Sequence, residues 1–439
     1  MPLGFLSAGG IWAKSVTTAQ TALSIDDRPS DPRESAITPS WLQKIKPSTA
    51  TPEFCSQYNA ERLRGICRLM DIMGPCNEHS SGHRNNYDLL RLFAACQVMF
   101  SHAWNWLHLG DSLNGTAGFN LLFSAPGVAI FFVISGFLVT DSYIRSSSAA
   151  SFFVKRSLRI FPALFVNIAM MELALLVTGG LNVTGILQYL CYFTVYMLTA
   201  ARIWAVYFTY EPYTMSGFYG VSDPSGVLWT LTVELTFYLT LPTLLEIWRR
   251  WKRVGALVVA VAALGSWVMA QYFNITDRYD PFLSVTVGPT FWIFSMGVLA
   301  RLYWHRVSRI FEGKLLWWLA AHLAITWWVA GTSAAFISIN NAAPVDAFRI
   351  AILAGLVLSA AYSFPRPNLL RGQDLSYGIY LYHMLVMHTL IGIGWVGHWW
   401  LWIVEPVGTV ALAALSWALI EKPAMKLRTS LVARGLSVA

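Results

Sequence analysis

The chain contains a series of apolar runs, each long enough at about 20 residues to cross the hydrocarbon core of a membrane as a helix. Ten such runs fall near residues 86–107, 124–144, 160–178, 227–248, 254–273, 283–303, 314–336, 347–364, 375–396 and 400–420. Lipid offers backbone groups no hydrogen-bond partners, so only helices and closed barrels can span it. The runs therefore predict an all-α, polytopic membrane helical bundle.

The composition excludes a soluble enzyme of this size. Hydrophobic residues make up 56% of the 439 residues and charged residues only 12%, whereas soluble domains carry about 25% charged residues. The 20 Trp and 18 Tyr suit aromatic belts at the membrane interfaces. The net charge of +8 suits cytoplasmic loops rich in Lys and Arg better than nucleic-acid binding. The composition therefore predicts membrane lipid as a partner and predicts no nucleic-acid partner.

Clusters of Lys and Arg indicate how the runs are oriented. They lie at Arg145–Arg159, Arg249–Arg253, Arg301–Lys314, Arg366–Arg371 and Lys422–Arg428. The positive-inside rule assigns such clusters to the cytoplasm, and this holds for all of them if the ten runs cross and both termini are cytoplasmic. If a further apolar stretch, 185–208, also crossed the membrane, the Lys and Arg clusters that follow it would lie outside the cytoplasm. We therefore predict that it is re-entrant or interfacial, in a protein of the cell (inner) membrane.

Two terminal segments flank the apolar runs. Residues 1–84 contain no run long enough to span and are predicted to form a disordered cytoplasmic extension. Residues 428–439 are predicted to form a cytoplasmic C-terminal tail. The cysteines, at positions 55, 67, 76, 96 and 191, lack the paired spacing of a zinc site or a disulfide framework. They are predicted to be free thiols, and no metal is expected.

The first run carries residues that lipid disfavours. In YDLLRLFAACQVMFSH, Arg91 and His102 are eleven positions apart, which places them about 20° apart around a helix and about 16 Å apart along it. They share one face, with Arg91 near the cytoplasmic boundary and His102 in the outer half. Alternatively, Arg91 snorkels to the interface and His102 is a hydrogen-bonded residue between helices. Asp88, at i−3, is the simplest neutralising partner of Arg91.

A carboxylate interrupts another apolar run, LWTLTVELTFYLTLP. Glu234 lies about 9 Å below the outer surface if this run enters from outside, at a depth similar to that of His102. A carboxylate can fix the tautomer of an imidazole and stabilise the imidazolium, so we expect Glu234 to orient His102. A purely structural polar contact is the alternative.

Two arginines lie at the cytoplasmic boundary of the third run, in FFVKRSLRIFPAL. Arg156 and Arg159 are three residues apart and therefore neighbours on one helical face. Guanidinium groups suit bidentate binding of phosphate, although the positive flank of a membrane helix has the same appearance.

Two further stretches carry small or polar residues inside apolar runs. FFVISGFLVTDS places Ser135 and Gly136 where helices can approach closely. SYGIYLYHMLVMH sets Ser376, Tyr380 and His383 along one helix face that rises from the cytoplasmic side. These three residues could line a passage, or form a polar seam between helices.

The motifs, taken in order, resemble those of the membrane acyltransferase-3 family: DLLRLFAACQVMFSH, FFVISGFLVT, KRSLRIFPAL, LWTLTVELTFYL, SYGIYLYH and EKPAMKL. The resemblance covers residues 85–427, which would form a membrane acyltransferase domain. The family is similar in carrying an Arg and a His separated by ten residues, matched by Arg91 and His102. Its Arg-x-x-Arg motif is matched by Arg156 and Arg159.

The resemblance implies an enzyme that transfers an acyl group, often acetyl, from cytoplasmic acyl-CoA to a hydroxyl of an extracytoplasmic glycan. Arg156 and Arg159 would hold the phosphates of this co-substrate, and Arg91 its nucleotide or arm. His102 would act as general base or transient acyl carrier, with Glu234 orienting it. Some members carry a fused extracytoplasmic hydrolase-like domain after the last span. Without one, the chain transfers directly or a separate delivery protein completes the transfer.

Two alternatives keep the same polar residues. Intramembrane Arg, His and Glu also mark transport routes, so a transporter or flippase for a lipid-linked sugar is one of them. An acyltransferase that acts on a small-molecule acceptor is the other.

Overall fold

The structure is a computed structural model that describes residues 85–109, 116, 124–177, 227–276, 283, 286–330, 343–364 and 373–433. The predictions for residues 1–84 and for the stretch 185–208 lie outside the described residues. Of the C-terminal tail, the described part extends to Ala433 and is helical.

The described part of the chain is helical and contains no strand, which confirms the all-α class. The α-helices, numbered in chain order, are α1 (Tyr87–Trp106), α2 (Gly127–Ile144), α3 (Ala149–Val177), α4 (Trp229–Arg250), α5 (Lys252–Thr276), α6 (Phe291–Leu302), α7 (Trp304–Phe311), α8 (Leu315–Ala330), α9 (Pro344–Ser363), α10 (Ser376–Gly392), α11 (Leu401–Ser416) and α12 (Lys422–Ala433). A π-helical turn, Trp417–Glu421, joins α11 to α12.

In the described part of the chain, each of the ten apolar runs overlaps a helix, although some bounds differ. Helix α3 begins at Ala149, well before the apolar run at 160, so Arg156 and Arg159 lie within a regular helix. Helix α6 begins at Phe291, because turns occupy residues 286–290. The order of helices is therefore as predicted.

Four helical stretches among the described residues are long and apolar enough to cross a membrane by length and composition: Gly127–Ile144, Lys252–Thr276, Pro344–Ser363 and Leu401–Leu427. Helices α6 and α8 are apolar but shorter. Helices α1, α3, α4 and α10 are outside this set, and they carry Arg91, Arg156, Glu234 and His383. The number of crossings, ten, stays a prediction.

Helix α2 lies at the centre of the described helices and packs against α1, α4, α6 and α9. Its contact with α6 is backbone to backbone: a Cβ atom added to Gly136 would lie 2.1 Å from the carbonyl oxygen of Phe294, and one added to Gly297 would lie 2.1 Å from that of Val133. Only glycine fits such a crossing, so the close approach predicted at Gly136 is confirmed.

The outward faces of several helices are apolar, as lipid requires. On α5, Leu257 and Leu264 are 63% and 59% exposed, and on α8 Trp317 is 76% exposed. Helix α1 instead packs between α2 and α10. Arg91 and His102 therefore face protein, where they are satisfied by other side chains.

Candidate active site

A cavity lies among α1, α2, α3, α4 and α10, and we call it the chamber. Its polar wall includes Arg91, Arg156, Arg159, Glu234, Ser376 and Tyr380. All of these were singled out in the sequence, and they come from four different helices. Aromatic and aliphatic side chains, among them Phe131, Phe132 and Ile160, complete the wall. Three guanidinium groups thus share one partly enclosed space.

Two of these arginines converge on one carboxylate, that of Asp374. Arg159 makes a close ion pair with Oδ2 of Asp374, and Nη1 of Arg91 lies 3.6 Å from the same oxygen. Oδ1 accepts hydrogen bonds from the hydroxyl and, at 3.2 Å, the backbone N–H of Ser376. The two arginines and Ser376, held by Asp374, form what we call the Asp374 clamp.

The clamp keeps Asp374 ionised although it is buried. Burial alone would raise the pKa of this carboxyl, but Arg159 and Arg91 outweigh burial and lower the pKa to about 2. The sequence predicts Asp88 as the partner of Arg91, and Asp374 is not among the predicted site residues. Asp374 lies two residues before the first residue of α10 and accepts that residue's N–H; aspartates bind the backbone two residues on in this way, and this signal could have identified it.

Arg156 lies in a different environment from Arg159. Its guanidinium lies over the rings of Tyr238, at 5.6 Å, and Phe152, at 5.8 Å, and its Nη2 is 3.5 Å from the carbonyl oxygen of Leu138. Its Nε is buried and has no hydrogen-bond partner, and Arg156 makes no ion pair with any residue that the structure describes. The two arginines share the chamber but differ in their availability to a ligand.

The predicted pairing of Glu234 with His102 is wrong. The carboxylate of Glu234 accepts hydrogen bonds from the hydroxyl of Ser135, at 3.1 Å, and from that of Tyr238. Sequence arithmetic estimates depth, but it does not fix which neighbour a side chain faces. Helix α4 packs on α2 and α5, whereas α1 packs on α2 and α10. Glu234 therefore faces the chamber, and His102 meets another residue.

That residue is His383. Nδ1 of His102 lies 2.9 Å from Nε2 of His383, and the two rings are nearly parallel, 7° apart, with centroids 5.2 Å apart. His383 is fully buried, and its Nδ1 lies 3.2 Å from the carbonyl oxygen of Ile379. The ring of Tyr380 lies edge-on to His383 at 6.1 Å, and its hydroxyl lies 2.6 Å from that of Thr230.

The predicted face of α10 thus connects two groups of polar residues. Ser376 belongs to the Asp374 clamp, Tyr380 lines the chamber and His383 contacts His102. His383 lies seven positions after Ser376 in the helix, a rise of about 10 Å. His388 is also buried, but it lies edge-on to Trp106 at 5.7 Å, off this face.

Comparisons with known proteins identify the family of the chain. The family model Acyl_transf_3, described as an acyltransferase domain, matches residues 84–421. Nodulation protein 10 of Rhizobium leguminosarum bv. viciae is 93% identical over 367 residues, which are 84% of this chain and all of that protein. No solved structure matches the chain.

More distant relatives have names that state their chemistry. An O-acetyl transferase of Shigella phage Sf6 is 25% identical, over 77% of this chain and 96% of its own length. The peptidoglycan O-acetyltransferase OatA of Listeria monocytogenes is also 25% identical, over 68% of this chain and 51% of its own length. The chain belongs to the membrane acyltransferase-3 family and is an O-acyltransferase.

Proposed function

We propose that the chain takes an acyl group, in the first place acetyl, from acyl-CoA on the cytoplasmic side of the inner membrane and transfers it to a hydroxyl of an extracytoplasmic glycan. Both termini are cytoplasmic in this proposal. The residues that carry the reaction are those of the chamber and the pair His102 and His383.

The observation that carries the proposal is the charge of the chamber. Arg91, Arg156 and Arg159 meet there with the carboxylates of Asp374 and Glu234, which leaves an excess of one positive charge among these groups. Arg156 supplies that excess, and its Nε lacks a partner. Planar guanidinium groups recognise phosphate by paired hydrogen bonds. The phosphates of a coenzyme A thioester fit this part of the molecule.

The donor's reactive end has to travel from the arginines to His102. Tyr380 lines the chamber and its ring contacts that of His383, which is hydrogen bonded to His102. In this proposal the pantetheine arm follows the face that carries Ser376 and Tyr380, and the thioester stops at His102. Two roles of His102 remain compatible with this path, general base on the acceptor hydroxyl and transient acyl carrier.

Glu234 takes a different role from the one the sequence suggested. Its carboxylate faces the chamber beside Arg91 and is held by Ser135 and Tyr238. Since the ring of Tyr238 also lies beneath Arg156, Glu234 positions the aromatic surface on which that guanidinium rests. Glu234 therefore shapes the donor site rather than orienting His102.

The relatives support acetyl as the acyl group and a glycan as the acceptor, since two of them are named O-acetyl transferase and peptidoglycan O-acetyltransferase. Transfer is either direct or completed by a separate delivery protein.

The test uses inverted inner-membrane vesicles, whose outer surface is the cytoplasmic face. Radiolabelled acetyl-CoA is added outside, and label is measured in the glycan recovered from the lumen. We expect transfer with the wild type, and loss of at least 100-fold with His102→Ala at equal expression. The matched control is His322→Ala, because His322 is a buried histidine that contacts Ser124 and has no contact with the chamber or with His102 among the described residues. Full transfer by His102→Ala would contradict the proposal.

A further inference from the structure

The contact between His102 and His383 has a direction that can be worked out from the atoms. Nδ1 of His102 and Nε2 of His383 are 2.9 Å apart, so one of these nitrogens carries a proton and the other accepts it. A neutral imidazole has one N–H and one acceptor nitrogen. The direction of the bond therefore depends on what the second nitrogen of each ring does.

The second nitrogen of His383 decides the matter. It lies 3.2 Å from the carbonyl oxygen of Ile379, one turn earlier in α10, and a carbonyl oxygen can only accept. Nδ1 of His383 must therefore carry the proton of that ring. His383 is fully buried and makes no ion pair with a described carboxylate, which favours a neutral ring. Its Nε2 is then an acceptor.

We propose that His383 is a positioning residue that holds His102 in one tautomer. His102 donates its Nδ1–H to Nε2 of His383, so Nε2 of His102 carries the free lone pair and is the reacting atom. The chain of bonds runs from the backbone of Ile379 through His383 to His102. A histidine here does what a carboxylate does elsewhere, fixing tautomer and ring orientation without placing a charge in the membrane.

The catalytic consequence rests on the proposed function. As general base, Nε2 of His102 takes the proton of the acceptor hydroxyl while the hydroxyl oxygen forms a bond to the carbonyl carbon of the thioester. The bond from that carbon to sulfur breaks, and the leaving thiolate takes the proton from Nε2. As acyl carrier, the same Nε2 forms the bond to the acyl carbon and the thiolate leaves; the acceptor hydroxyl oxygen then bonds to that carbon, the bond from carbon to Nε2 breaks, and the hydroxyl proton passes to the thiolate. Both routes need an unprotonated Nε2 at the start.

Nitrogen NMR of the protein in lipid bilayers, labelled with 15N-histidine, reads the tautomer without any substrate. The signals of His102 are those absent from His102→Gln. We expect a protonated Nδ1 and an unprotonated Nε2 at neutral pH. A wild-type spectrum with the proton on Nε2 would overturn the proposal. The wild-type spectrum tests the tautomer of His102 even if a variant of His383 fails to fold.

Two variants of His383 separate the hydrogen bond from packing. The side-chain oxygen of Gln can accept the proton of His102 Nδ1, whereas Met fills similar space without a comparable acceptor. In His383→Gln we expect the wild-type tautomer, and in His383→Met a mixture of both. A spectrum unchanged in His383→Met would show that the bond does not fix the tautomer.

Kinetics connect the tautomer to turnover. We expect His383→Met to lower kcat at least 10-fold with little change in KM for acetyl-CoA, and His383→Gln to recover most of kcat. Equal losses in both variants would reduce His383 to a packing residue. If the wild type itself transfers no acyl group while NMR shows the expected tautomer, the proposed function has failed and the positioning inference has not.

Discussion

At the scale of single residues, Asp374 is the anion that makes two buried arginines tolerable. The side chains of Arg91, Arg159 and Asp374 are 15%, 21% and 12% exposed, so water solvates them poorly. Two cations in contact repel each other at such a site unless an anion lies between them. Asp374 also receives the first N–H of α10 from Ser376. One carboxylate therefore fixes the start of α10 relative to α1 and α3.

Replacing Asp374 by Asn is expected to destabilise the protein. Removing one partner of a buried ion pair costs about 3–5 kcal/mol, because the remaining charge stays buried without compensation. Thermal unfolding in detergent measures the loss as a lower Tm. Glu246→Gln is the control, since the described partners of Glu246 are two exposed arginines, Arg249 and Arg250, and Glu246 is itself half exposed. A surface pair of this kind contributes about 1 kcal/mol or less. Equal shifts in Tm would contradict the clamp.

Arg156 is expected to act on donor binding. A hydrogen bond to a charged group contributes about 1.5–3 kcal/mol, so Arg156→Gln should raise KM for acetyl-CoA by about 10-fold to 100-fold. Arg156→Lys should recover only part of this, because an ammonium lacks the planar fork of a guanidinium. Lys155→Gln is the neighbouring control, since Lys155 contacts Ser146 and does not line the chamber. An unchanged KM in Arg156→Gln would contradict the proposal that Arg156 binds the phosphates of the donor.

The types of residue in the site could be predicted from the sequence, and their partners could not. Arg91, Arg156, Arg159, Ser376 and Tyr380 line one chamber, as intramembrane polar residues on separate helices suggest. Glu234 and His102 were paired because they lie at a similar predicted depth in the membrane. Depth does not show how a helix is rotated in a bundle, so it does not show which neighbour a side chain faces. Asp374 was not predicted because it lies just outside an apolar run, where a single carboxylate is an ordinary residue.

At the scale of elements, the crossing of α2 and α6 sets the position of the chamber wall. Gly136 and Gly297 let the backbones touch, and the residue next to Gly136 is Ser135, which donates a hydrogen bond to Glu234. Moving α2 away from α6 therefore displaces a chamber residue. The helix order and this close approach were predictable from apolar runs and a small-residue pair. The early start of α3 was not, because its basic first turns resemble a loop.

Gly136→Ala is expected to destabilise the bundle although alanine favours helices. A Cβ atom 2.1 Å from a backbone carbonyl forces the two helices apart, and overpacking of this kind costs about 1–3 kcal/mol. Gly265→Ala in α5 is the matched control, since its Cβ would meet nothing within 4 Å, and it should stabilise by up to about 1 kcal/mol. Thermal unfolding distinguishes them by sign. A stabilising Gly136→Ala would contradict the crossing.

At the scale of the whole molecule, the Asp374 clamp indicates which ends of the helices lie together. Arg91, Arg159 and Ser376 belong to the first turns of α1 and α10 and the N-terminal half of α3, so these three helices leave the same side of the bundle. Asp141, near the end of α2, is bound by Arg301, near the end of α6. Alternating directions of this kind agree with the distribution of Lys and Arg, from which we predict that the clamp lies on the cytoplasmic side.

Reporter fusions test this sidedness over the length of the chain. Alkaline phosphatase is active only outside the cytoplasm, so a fusion at Arg309, in α7, is expected to be inactive. Fusions at Gly397, in the connection between α10 and α11, and at Asp223, which precedes α4, are expected to be active. The Asp223 fusion also tests whether the stretch 185–208 leaves the chain on the outer side. Activity at Arg309 would place the arginines of the chamber on the acceptor side, where a cytoplasmic acyl-CoA could not reach them.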